Sequence, residues 1–129
     1  MDNEILFEQF KMTKELKKEG EKTLLLQKKK IDSLQILVAT DLTEAEKEDI
    51  VRKIIEARQQ LDFFEQNFVE TNSEKIWERI HIYTKEFVKE HDYQLIIGSQ
   101  YKSDVLYSSK ELDITQLMLD FINNKYEGL

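Results

Sequence analysis

The chain has 129 residues, 40% apolar and 35% charged, with no cysteine, no proline and a formal charge of -7. That length points to a single domain, 1-129, and the missing cysteine removes disulfides and thiolate chemistry. The acidic balance speaks against a general nucleic-acid binder, which needs a basic excess, and no run approaches the roughly 18 apolar residues of a membrane span.

Residues 4-91 contain one glycine, Gly20, and nothing else that stops a helix. The spacing predicts two long helical arms there, joined by a turn near 40-43. Along the first arm, Leu6, Phe10, Thr13, Lys17, Gly20, Leu24, Gln27, Ile31, Leu34 and Val38 recur at steps of mostly three and four, a heptad seam with good ends and a polar middle. The middle, around Lys17 and Gly20, is expected to pack loosely. Lys11 to Lys30 carries eight lysines against three glutamates, a local balance of +5, so the remaining residues carry -12.

Thr43 and Glu46 have the spacing of a capping box, which starts the second arm near Glu44. Glu44, Glu46, Glu48 and Asp49 sit where the positive end of the helix dipole favours them. Glu48 with Arg52 and Asp49 with Lys53 make four-apart pairs in the favourable order. A short turn makes the arms antiparallel neighbours. The second seam runs Ile50, Ile54, Ala57, Leu61, Phe64, Phe68, then Asn72, Ile76, Ile80, Tyr83 and Phe87. Successive steps of four near Phe68 to Ile76 form a stutter, where the helix should change partners. Phe63, Phe64, Phe68 and Trp77 are expected to cluster there as packing aromatics.

After Glu90-His91-Asp92 the period changes. Tyr93 to Ile97 and Asp104 to Tyr107 read as two short strands around Gly98 and a polar turn, and such strands need a sheet completed by other segments or subunits. Asp113 should cap a last amphipathic helix whose apolar face includes Ile114, Leu117, Met118, Phe121, Ile122 and Tyr126. The fold class is therefore mainly α with a small β part. A long antiparallel helical hairpin, 4-91, precedes a strand-turn-strand-helix body, 93-129, whose core is expected from Leu95, Ile97, Leu106, Ile114, Leu117 and Phe121. Leu24, Ile31, Leu34, Ile54, Leu61 and Phe64 should hold the hairpin.

Catalytic constellations are hard to assemble. Glu78 and His81 form one Glu-x-x-His, but a di-iron bundle site needs two such motifs and two further glutamates. Ser108, Ser109, His91 and Asp92 lack a nucleophile elbow, and Gly98-Ser99 lacks the second glycine and lysine of a phosphate loop. No enzyme, cofactor or metal is expected. The lysine run is more often a solvated face than a phosphate grip.

The order of elements, with Leu6-Phe7 opening the first arm and Tyr93-Gln94-Leu95-Ile96-Ile97-Gly98, Val105-Leu106-Tyr107 and Leu112-Asp113-Ile114-Thr115 closing the chain, resembles the OmpH-like, or Skp, family of periplasmic chaperones. The specific part covers about a quarter of the chain. The resemblance implies a homotrimer in which a small β-barrel body made by all three chains holds helical tentacles around a cavity. Its implied function is an ATP-independent holdase for unfolded outer-membrane proteins in the periplasm. Family members carry a leader and a first strand ahead of the Leu-Phe position, so Met1 is expected to mark a shortened start. Well-known members are basic, whereas this chain is acidic. Lys17, Lys18, Lys28, Lys29 and Lys30 are the candidates for client contacts and for any peripheral contact with membrane phosphates. The competing reading is a coiled-coil assembly or adaptor protein that binds one partner and has no chaperone activity.

Overall fold

The computed structural model describes residues 1-128; Leu129, the last residue of the expected body, lies outside them. The chain is mainly α. Four helices form among the described residues: α1 (Asn3–Gln9), α2 (Lys11–Val38), α3 (Glu44–His91) and α4 (Thr115–Glu127). Two compact units result. One comprises Met1–Leu16 and Ser73–Leu129, the other Lys17–Asn72.

The first unit has a closed core of Leu6, Phe10, Ile76, Ile80, Tyr83, Phe87, Ile114, Met118, Leu119 and Ile122. Three elements supply it, with α1 packed on α4 and the C-terminal half of α3 contributing the seam residues. Phe10 meets the rings of Tyr83 and Tyr126 edge-on, and Phe87 meets Phe121 the same way. Such edge contacts add to what burial alone contributes.

The first arm is not continuous from Leu6, as its periodicity suggested. Phe10 is extended, with φ -65° and ψ 130°, and separates α1 from α2. The break costs little because its free amide is satisfied: Lys11 N donates to Asn123 Oδ1 of α4 at 2.8 Å. It also lets both Leu6 and Phe10 become fully buried.

Within Lys17–Asn72, Gly20 is buried against the Phe68 ring. A Cβ at Gly20 would lie 2.2 Å from Phe68 Cζ, so the ring occupies the space a side chain would need. The loose middle expected of the first arm is thus closed at Gly20, because the aromatic on the second arm fills the gap; Lys17 alone of the seam residues is exposed. Phe64 and Phe68 pack with ring centroids 5.1 Å apart, Phe63 is exposed, and Trp77 has Phe7 as its ring partner. The expected cluster of four aromatics is therefore distributed over both units. Thr43 Oγ1 accepts from Glu46 N at 3.3 Å, so α3 starts where the capping spacing placed it, and Asp49 pairs with Lys53 at 3.3 Å.

The helix α3 ends at His91, and Asp92 after it takes a left-handed φ of 54°. Aspartate tolerates this conformation better than most side chains. Beyond it the two expected strands do not form. The β pairing among the described residues is an isolated parallel bridge between Asp2 and Ser99. Asn3 N donates to Ser99 O at 2.9 Å and Ser99 N to Met1 O at 2.7 Å, so the start of the chain supplies the little pairing that exists. Residues 105-107, where the second strand was expected, take no regular structure and lie between single 3-10 turns at 102-104 and 110-112. Two short strands lack enough neighbours in one chain to make a ladder.

The start of α4 also differs in detail. Asp113 Oδ1 accepts from Thr115 N and from Thr115 Oγ1, at 3.0 and 2.5 Å, so the carboxylate serves the first turn through the threonine. Thr115 is buried, and its hydroxyl in turn accepts from Asp2 N at 2.8 Å. Those bonds hold the Asp113 carboxyl below its ordinary pKa, the hydroxyl of Thr115 first and its backbone amide second. The Gln116 side chain donates to Asp120 one turn on.

Candidate functional site

Two features of the first unit stand out, and both involve the segment after α3. The first is a groove of about 770 Å³ between α1, the Ser73 to Thr84 stretch of α3 and residues 96-101. Its floor follows from spacing. Phe7 is one residue off the Leu6 seam, and Trp77 one residue off Ile76, so each side chain points beside the core rather than into it. The two rings stack, with centroids 5.7 Å apart and an interplanar angle of 25°.

Ser73, Trp77, His81 and Thr84 follow at steps of four, four and three and form one wall. His81 is exposed and lies 6.3 Å, centroid to centroid, from the Trp77 indole. On the other side are Glu4 and Glu8, one turn apart on α1 and both exposed. Met1, Ile96 and Tyr101 complete the apolar lining, while Asn3 and Gln100 add amides. The size suits a ligand groove, and the lining divides about equally between apolar and polar residues. Glu78, the partner of His81 in the Glu-x-x-His spacing, is not among these lining residues. Among the described residues no group of three or more metal-ligating side chains gathers anywhere.

The second feature is the exposed apolar run after α3. Of the six residues expected to hold the body, Ile114 is buried and Phe121 is half-buried against the core. Leu95, Ile97, Leu106 and Leu117 are not core in the single chain: they are exposed by 75%, 65%, 96% and 47%. The reason is the missing ladder for the first three. For Leu117 it is the rotation of α4, which turns Met118, Leu119 and Ile122 inward. Val105 and Tyr107 are exposed alongside them. Asp104 organises the turn between Ile97 and Val105: its carboxylate accepts from Gln100 N and Tyr101 N at 2.9 and 3.0 Å, which lowers its pKa, the Tyr101 amide first.

Lys17, Lys18, Lys28, Lys29 and Lys30 are all exposed along α2. None of the five is in an ion pair among the described residues. No described helix is long and apolar enough to cross a membrane. The groove was not singled out from sequence. Its signal was present as a second stripe, Ser73, Trp77, His81 and Thr84, running beside the seam, but a stripe on one helix does not reveal what faces it. Comparison with known proteins gives no match, either to a protein-family model or to a curated protein.

Proposed function

We propose that the chain is an ATP-independent holdase of the OmpH-like kind, acting in the periplasm on unfolded outer-membrane proteins. In this reading α2 and α3 form an antiparallel hairpin in the register that the Gly20 and Phe68 contact sets. Continuing it places Leu24 by Phe64, Ile31 by Ala57 and Leu34 by Ile54. The burial of Ile31 and Ala57 agrees with that register.

The observation that carries the proposal is the apolar run Leu95, Ile97, Val105, Leu106 and Tyr107, left exposed beside a core that is otherwise closed. Large apolar side chains left in water often mark an interaction surface, and strand-like segments without partners seek them. Two further copies of the chain, making the trimer that the resemblance implies, would complete a sheet and hold the arms around a client. The exposed lysines of α2 would give weak, replaceable contacts suited to a client without fixed structure. The function needs no chemical step and no cofactor.

Two measurements test this. Light scattering at several concentrations should give a mass of three chains, and Leu106→Asp with Tyr107→Asp should dissociate it. An unfolded outer-membrane β-barrel protein diluted from urea should stay soluble in the presence of the protein and without ATP. A stable monomer that suppresses no aggregation would overturn the proposal and leave the single-partner adaptor.

A further inference from the structure

None of the exposed run that would join copies, Leu95, Ile97, Val105, Leu106 and Tyr107, lines the groove over Phe7 and Trp77. We propose that it binds cationic apolar peptide segments, with an arginine or lysine held over the indole and the neighbouring apolar side chains against Ile96.

Three properties carry this. The volume of about 770 Å³ accommodates a few side chains of an extended peptide. The Trp77 indole is half-buried and stacked on Phe7, so it is fixed in place while part of its surface faces the groove. A ring held this way attracts a cation through its quadrupole and loses little entropy on binding. Glu4 and Glu8 supply the complementary charge, and no lysine or arginine side chain lines the groove among the described residues. The Met1 ammonium donates to Ile97 O at 3.2 Å, and His81 is the other lining group able to carry positive charge. The lysine face of α2 would attract anions, so the two surfaces select opposite charge.

The site stands on its own geometry and does not depend on the holdase reading. Trp77 is the chain's single tryptophan, so its emission reports the groove directly. The full chain would be titrated with acetyl-Leu-Arg-Phe-Arg-amide and with the same peptide carrying citrulline for arginine, followed by tryptophan fluorescence and by calorimetry. The arginine peptide should bind saturably and about tenfold more tightly than the citrulline peptide. Its affinity should fall with added salt. Glu4→Gln with Glu8→Gln should remove most of that difference and leave the citrulline peptide unaffected. Both glutamates are exposed, and unchanged helical circular dichroism would show that the variant is folded. Phe7→Leu, which keeps the charge and weakens the floor, should weaken both peptides. No saturable signal by either readout, equal affinity for the two peptides, or undiminished discrimination in the glutamine variant would each overturn the proposal. None of these outcomes bears on the aggregation assay, so failure here and failure of the holdase reading are separable.

Discussion

The two units use the same seam on α3 yet bury it to different depths. In Met1–Leu16 and Ser73–Leu129, Ile76, Ile80, Tyr83 and Phe87 are buried because α1 and α4 add further packing elements around them. In Lys17–Asn72, Ile31 and Ala57 are the buried apolar side chains, and their neighbours Leu24, Leu34, Ile54, Leu61 and Phe64 reach only partial burial. Two helices can hide one stripe from water but leave its flanks wet. Full burial takes a third element, and with it come the closed core and the groove. The arm unit is therefore expected to be the less stable of the two.

The sharpest way to break this contrast is to cut equivalent seam residues. Phe87→Ala should cost about 3-5 kcal/mol and Ile80→Ala about 2-5, while Leu34→Ala should cost less than either, all read by urea unfolding at one protein concentration. Equal losses in both units would mean that the arm unit is buried as deeply as the other. Amide exchange gives the same contrast without mutation, with faster exchange through Lys17 to Asn72 than through Ile76 to Phe87.

Next in size is the close approach at Gly20 in the arm unit. Gly20→Ala gains helix propensity, about 1 kcal/mol, but must displace the Phe68 ring. Phe68→Ala should convert Gly20→Ala from damaging to helpful, with a coupling of about 1-2 kcal/mol in a double-mutant cycle. Additive effects would mean that the ring does not rest on the glycine.

In the other unit, Thr115→Val should cost about 1-2 kcal/mol, because it unpairs Asp2 N and removes a donor from Asp113. The same cluster predicts a pH effect. The native pKa of Asp113 is depressed, so its stabilising contribution is present above the unfolded aspartate pKa and is lost as pH falls through the native one. Asp113→Asn should flatten that part of the acid unfolding curve. Smallest of all, the exposed Lys11 and Glu127 pair should show a coupling of roughly 0.2-1 kcal/mol, diminished by salt.

Much of the helical architecture was legible in the residues. The seam positions of the two arms did not need neighbours to be recognised, since their three-and-four spacing puts them on one face whatever covers it; Lys17 is the exception, its charge remaining in water. The start of α3 was legible through Thr43, and its end through the change of period after His91. The break at Phe10 was not, because the seam keeps its spacing through it, and the amide that makes the break inexpensive is satisfied by Asn123, over a hundred residues away. The strands failed for a related reason: alternation in Tyr93 to Ile97 shows a capacity to pair, while pairing itself requires a partner edge. The groove needed three distant segments to meet, and Trp77 alone did not announce that Phe7 would lie under it.

By itself the sequence determined the helices, their apolar faces, the site of the turn and the absence of thiol chemistry, because these depend on neighbours within one or two turns. Tertiary structure alone decided that Phe10 breaks the first arm, that Gly20 receives the Phe68 ring, that Leu95 and Leu106 remain in water, and that Glu4 and Glu8 share a groove with Trp77. Those outcomes rest on contacts between residues far apart in the chain, whose free energy exists only once the elements have met.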